Sequence, residues 1–291
     1  MKKLYVASVT PFDKEGTINE AALKMLWERN LSEGANGFFI GGSSGECFLL
    51  TREERVRSFE LASEYKGRGD IFAHVGAIST EEAVFYAKEA VKAGIENIAA
   101  TPPIYFGFSE KEIAGYYYDI AEAAGRPVLY YNIPSSTHKD LDVNHPEVKA
   151  LLKSGAINAI KHTNLNLLQM DRIRSVNPEI QCFGGFESCM VAFLAFGCEG
   201  FIGSSFNFML PQFRHLLNLF EEGKLEEARI LQTKCNNILD VLLKNGLCAN
   251  LKYILSSQGI PAGEVRKPFV ALTKDRADEM DEVLNEYLEI Q

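Results

Sequence analysis

The 291-residue chain has no uninterrupted apolar run of about 18 residues, the length a helix needs to cross a bilayer. It also lacks surplus positive charge: 39 acidic against 30 basic side chains give a net charge of -9 and a pI near 5.2. Nucleic acid and anionic membranes both require a positive footprint, so neither is expected as a partner. Cysteines at metal or redox spacing are missing as well. The six cysteines, at 47, 182, 189, 198, 235 and 248, form no C-x-x-C pair and no zinc pattern. Free buried thiols in a reducing compartment are the reading that follows. The start, MKKLYVASVTPFDKEG, has too short an apolar stretch before Asp13 and Lys14 for a signal peptide, so a cytoplasmic location is expected. No G-x-G-x-x-G follows the first strand-like run, which weakens an open, doubly wound nucleotide-binding sheet.

What the chain does have is an eightfold exchange of a short apolar run for a longer amphipathic one. The runs are LYVASV (4–9), GFFIG (37–41), IFAHVG (71–76), NIAAT (97–101), PVLYYN (127–132), AINAIK (156–161), QCFGG (181–185) and EGFIG (199–203), each feeding a helical pattern. Eight such units fit an α/β fold, a closed (β/α)₈ TIM barrel without edge strands. Past residue 222 the strand signal stops, and three further helices follow, with Gly246 and Gly259 as stops. The expected division is a barrel over 1–222 and a helical extension over 223–291 packed on it, with no linker that would make the extension independent.

Active sites of such barrels lie at the C-terminal strand ends, which here are Thr10, Gly41 to Glu46, His74, Thr101, Tyr131, Asn132, Lys161, His162, Gly185, Glu187 and Ser204. Lys161 ends an otherwise apolar run. A lysine that attacks a ketone needs surroundings that favour a neutral amine, and a barrel mouth provides them; the plainer alternative is a stem on apolar surface with its ammonium in water. Lys111, Lys224 and Lys252 lie in or beside helical patterns and read as solvated. Tyr131 ends the neighbouring strand, where its hydroxyl can move a proton, while Tyr130 points the other way as packing. GGSSGE (41–46) offers backbone amides and the hydroxyls of Ser43 and Ser44 to a carboxylate, although a Gly/Ser loop is often only a turn. The following TREE reads as a capping box at Thr51. Glu187 is either a hydrogen-bond acceptor for a polyhydroxy substrate or a charge at a helix N-terminus. His74 and His162 are not spaced as metal ligands on one element, and no metal is expected.

Together TPFDKEG, GGSSGECF, AHVGA, ATPP, PVLYYNIP, AIKHT, GGFES, GSSFN, LQTKCNNILDVLLKNG and RKPF carry a pattern. The sequence resembles the N-acetylneuraminate lyase and dihydrodipicolinate synthase family of pyruvate-dependent aldolases, and the lyase branch more closely. The resemblance implies a (β/α)₈ barrel, usually a homotetramer, that makes an imine between Lys161 and a 2-keto acid. It assigns proton handling to Tyr131 and carboxylate binding to Ser43 and Ser44, and it aligns Ser204 with the serine of the loop after the last strand. Where the lyase pattern is commonly Gly-aromatic-Asp-Glu, this chain has Gly185, Phe186, Glu187 and Ser188, which alters the contacts to a sugar tail. Tyr105 replaces, after a one-residue shift, the aromatic pair usual after TP. Ser136 stands where the synthase branch has an arginine, so the planar carboxylate clamp of that branch is lost.

The expected chemistry is reversible cleavage of a 2-keto acid sugar such as N-acetylneuraminate to pyruvate and an aldehyde, without metal or organic cofactor because the iminium is the electron sink. Its partners are then small molecules: a 2-keto acid, or pyruvate plus aldehyde. Three other readings stand beside it. A condensing synthase would share the imine, a metal-dependent barrel aldolase would need a carboxylate and histidine cluster, and a binding protein would take up the keto acid without turnover.

Overall fold

The computed structural model describes residues 2–288. Its eight strands are β1 (Lys3–Ala7), β2 (Gly37–Ile40), β3 (Asp70–His74), β4 (Asn97–Ala100), β5 (Val128–Asn132), β6 (Ile157–His162), β7 (Gln181–Gly184) and β8 (Gly200–Gly203). They pair in chain order and all in parallel, and β8 closes on β1 with Lys3 opposite Gly200 and Val6 opposite Gly203. The expected TIM barrel is therefore present, with each apolar run displaced by no more than about two residues at either end, as fraying at element ends allows.

Alternation along the strands divides the apolar residues into two sets. Tyr5, Ala7, Phe39, Phe72, Ala99, Leu129, Tyr131, Ala159, Phe183 and Ile202 fill the barrel interior, where Tyr5, Phe72 and Phe183 meet edge to face at 5.0 to 6.2 Å. The other set faces an outer ring of helices and forms a second, larger core. Tyr130 belongs there, stacked on Tyr117 at 4.6 Å.

The ring comprises α1 (Glu20–Ser32), α2 (Arg52–Ser63), α3 (Thr80–Lys92), α4 (Glu110–Ala124), the single turn α5 (Pro134–Thr137), α6 (Pro146–Lys153), α7 (Leu168–Val176), α8 (Met190–Ala195) and α9 (Phe206–Glu221). Local chemistry fixes their ends. Thr51 and Glu54 close the capping box at the start of α2, Ser109 and Glu112 do the same for α4, and Gly125 ends α4 in the left-handed region at φ 64°. One boundary differs from the sequence pattern: α9 starts at Phe206 rather than in the LPQF segment, with a break at Met209 (φ -136°). Pro211 has no N–H to give the Asn207 carbonyl, which instead accepts from Asn30 Nδ2 at 3.3 Å and from the Arg29 guanidinium.

The C-terminal part forms α10 (Leu225–Lys244), α11 (Leu247–Ser257) and α12 (Lys274–Tyr287); residues 289–291 of the third helical pattern lie outside the described residues. Leu231, Ile238, Leu242, Leu251, Ile254 and Met280 are buried in the same core as the outer faces of the strands. All six cysteines are free, five of them buried and Cys189 half-buried. Among the described residues no helix is long and apolar enough to cross a membrane.

Candidate active site

The register of two neighbouring strands brings the principal residues together. Tyr131 on β5 lies directly opposite Lys161 on β6, so both side chains point to the same, inner side of the barrel. Lys161 is 4% exposed, and its Nζ lies 4.1 Å from the Tyr131 ring centroid and 4.6 Å from that of Phe39. Among the described residues it has no ion-pair partner; the buried lysine that does is Lys252. Among the described residues no carboxylate is paired with this amine, so forming a bond to an electrophile breaks no ion pair.

Lys161 and Tyr131 open on a cavity of about 270 Å³ at the C-terminal strand ends. Ser43, Gly185, Glu187, Ser188 and Ser204 line it with them. Ser44 sits just behind: it is 3% exposed, and its Oγ is 2.8 Å from Ser204 Oγ, which joins the loop after β2 to the loop after β8. The first of these loops is a tight turn over Ser43–Gly45, held by the Thr10 hydroxyl donating to the Gly45 carbonyl at 2.9 Å. Gly185 has no room for a side chain, because a Cβ there would come within 2.0 Å of Thr163 Oγ1.

Glu187 is buried, and its Oε1 accepts from the Ser205 N–H at 2.9 Å and the Ser205 hydroxyl at 3.0 Å. Its carboxylate thus faces the N-terminus of α9, a favourable end for negative charge, while the residue also borders the cavity. The helix whose N-terminus the Glu187 carboxylate meets is therefore α9, not the helix that follows it in the chain, α8. The Ser188 carbonyl accepts from Asn236 Nδ2 at 3.0 Å, so α10 holds this loop in place.

The cavity also contains residues that the sequence reading did not select. Thr163 follows Lys161 by two positions, and the period-two rule would have placed it on the same face. Ser135 and Ser136 come from the turn α5, and Ser205 from the start of α9. Leu239, Leu242, Leu243 and Leu247 form an apolar wall from α10 and α11, and no local signal marks them.

Other expected residues lie elsewhere. Tyr105, selected as a substrate contact, is 88% exposed and borders a separate depression with Phe106, Phe108 and His138. The backbone after β4 turns outward there, with Tyr105 at φ 81°, so the structure does not bring it to Lys161. Asn132 and His162, one residue out of phase with the inner face, form a polar network with Gln169 and the Asn166 carbonyl. Lys252 corrects the sequence reading outright: it is 2% exposed rather than solvated, paired with Glu46 at 2.6 Å. A wider groove of about 520 Å³ at the opposite end of the barrel has charges that already pair, Lys3 with Asp70 and Lys66 with Glu96.

His74, fully enclosed, ties three strand ends together: Nδ1–H donates to the Gly41 carbonyl at 2.8 Å, and Nε2 accepts from the Thr101 N–H at 3.1 Å. Burial, reinforced by the Arg55 guanidinium, lowers its pKa to about 3. The folded protein therefore binds this proton less readily than the unfolded chain, and stability present above pH ~6.5 is lost as pH falls towards 3. The group contributes a slope of about 1.4 kcal/mol per pH unit across that window. Urea unfolding at pH 7, 5 and 4 should show a shallower acid loss in His74→Gln than in the parent, and parallel curves would remove His74 from the account.

A closed eight-stranded barrel with a lysine at a strand end, a tyrosine beside it and hydroxyl-rich loops around the mouth defines a carbon–carbon lyase of the pyruvate aldolase class, and the comparisons agree. The chain belongs to the Dihydrodipicolinate synthetase family, whose profile matches residues 1–287. It is 34% identical over 270 residues to the N-acetylneuraminate lyase of Rhizobium meliloti (strain 1021), covering 92% of this chain and 89% of that one. The structure of CdNal from Clostridium difficile, solved in complex with mannosamine, superposes with a TM-score of 0.93 at 32% identity over 99% of both chains. The 4-hydroxy-tetrahydrodipicolinate synthase of Methylacidiphilum fumariolicum SolV superposes with a TM-score of 0.91 at 27% identity, over 99% of this chain and 96% of that one.

Proposed function

We propose that this enzyme cleaves N-acetylneuraminate to pyruvate and N-acetylmannosamine, with Lys161 as the Schiff-base lysine and Tyr131 as the proton carrier. The observation that carries this reading is the placement of Lys161: buried, without a carboxylate partner among the described residues, in register with Tyr131 and open to a hydroxyl-lined cavity. The neutral amine adds to the C2 ketone of the open-chain substrate, and loss of water leaves an iminium. Tyr131 relays the proton from the C4 hydroxyl, the C3–C4 bond breaks, and its electrons pass into the iminium to give an enamine, leaving C4 as an aldehyde. Protonation at C3 and hydrolysis release pyruvate and regenerate Lys161. The amides and hydroxyls of the Ser43–Gly45 turn hold the substrate carboxylate, and Ser44 acts with Ser204.

A second reading, a 2-keto-3-deoxy acid with a different tail, is favoured by one feature. The tail side of the cavity has a hydroxyl at Ser188, and one oxygen of its single acid, Glu187, is already committed to Ser205. Incubation with N-acetylneuraminate and borohydride, then peptide mapping beside a pyruvate control, separates the two. Adducts on Lys161 from both compounds are expected. An adduct from pyruvate alone moves the substrate to another keto acid, and none from either removes the imine mechanism.

We further propose that the enzyme is a cytoplasmic homotetramer; the exposed pair Tyr105 and Phe106, 88% and 61% exposed, supports the self-association part of this reading. Sedimentation velocity should give the mass of four chains; a single-chain mass would overturn it.

A further inference from the structure

The buried ion pair between Glu46 and Lys252 has no part in the chemistry proposed above, yet it joins the carboxylate-binding turn to the C-terminal helices. Glu46 follows that turn directly, and its N–H donates to the Ser43 carbonyl at 3.0 Å to close it. Its side chain is 0% exposed, with Oε1 2.6 Å from Lys252 Nζ on α11 and Oε2 accepting from the Arg266 N–H at 2.8 Å. Lys252 Nζ also donates to the Glu264 carbonyl at 2.9 Å and lies 3.8 Å from the Phe12 ring centroid. The Glu46 backbone is left-handed at φ 56°, a conformation that costs a non-glycine residue about 1 kcal/mol or more and persists only where its surroundings hold it.

Two charges in so dry a place do little for stability, since desolvation offsets their attraction and an apolar pair of the same volume would serve the fold as well. Burial indeed pulls the Lys252 pKa down while Glu46 pushes it back up. What an ion pair provides and an apolar pair does not is direction: the Glu46 carboxylate has to meet Lys252 Nζ and the Arg266 N–H, which fixes its backbone and with it Ser43 and Ser44.

We infer that Glu46 and Lys252 are positioning residues that set the affinity of the site for the substrate carboxylate from outside the cavity. This inference rests on the reading that the Ser43–Gly45 turn binds that carboxylate. It gives the segment after residue 222 a role in substrate binding as well as in packing.

The test is Glu46→Gln/Lys252→Met, which removes both charges and keeps the volume. Half-maximal borohydride trapping at Lys161 is measured with pyruvate and with hydroxyacetone, a ketone without a carboxylate. The pyruvate concentration should rise about tenfold, about 1.4 kcal/mol, while the hydroxyacetone value stays within about twofold and kcat for cleavage within about threefold. A folded variant with unchanged pyruvate trapping, or with equal losses for both ketones, overturns the inference. If the double variant does not fold, Glu46→Asp carries the test; it retains the charge on a shorter arm and should show the same selective loss, about threefold or more. Ser44→Ala in parallel keeps the two claims apart. If it leaves the pyruvate to hydroxyacetone ratio unchanged, the carboxylate reading itself fails; if it shifts the ratio and the Glu46 variants do not, only the positioning role fails.

Discussion

Lys161→Ala should lose turnover by about 10⁴-fold or more and yield no reduced pyruvate adduct, because without the amine there is no iminium to accept the electrons of the C3–C4 bond. Most buried lysines could not be tested so cleanly, since removing one partner of a buried ion pair leaves an uncompensated charge and costs about 3–5 kcal/mol. Among the described residues Lys161 has no carboxylate partner, so truncation orphans none of them and the side chain is replaced by space that adjoins the cavity. Near-ultraviolet circular dichroism should therefore match the parent while kcat collapses. A variant that retains full turnover would remove Lys161 from the mechanism, and one that fails to fold would contradict the packing described here.

Tyr131→Phe should separate imine formation from bond cleavage. The ring is retained, so the aromatic face 4.1 Å from Lys161 Nζ and the edge-to-face contact with Phe39 at 5.6 Å both survive. Only the hydroxyl goes, and with it the relay for the C4 proton, a loss of about 10²–10⁴-fold in kcat. Pyruvate should still be trapped on Lys161 at concentrations near those of the parent. If kcat stays within about threefold, Tyr131 is a wall residue like Tyr130 and the proton takes another route.

The strand positions were legible because buried parallel strands read as continuous apolar runs, and eight of them in alternation with helices leave few architectures. Lys161 was legible because a charge at the end of AINAIK breaks that apolar pattern at the mouth of the barrel. The loops after β2, β7 and β8 stood out by their glycines and serines, and Ser43, Gly185, Glu187, Ser188 and Ser204 do share one cavity with Lys161 and Tyr131. Tyr105 was selected by its place after TP, but the outward turn of its backbone, not its side chain, decides where it goes.

Lys252 shows the limit most clearly. Helical periodicity places it within α11 but does not tell which neighbour covers its face, and a lysine in such a pattern is most often solvated. Its partner Glu46 lies about two hundred residues earlier and meets it only because the chain after residue 222 folds back over the barrel mouth. The leucines of α10 and α11 in the cavity wall are cryptic for the same reason, since apolar residues at helical spacing announce burial without naming the surface they cover. By itself the sequence determined the barrel and its strand ends and singled out Lys161 and Tyr131 as neighbours at the mouth, because these follow from local periodicity and from chemistry that stands out against an apolar run. Only the tertiary structure decided which distant helix closes the site and which buried charges hold its loops, because those contacts depend on packing between segments that carry no record of each other in their local pattern.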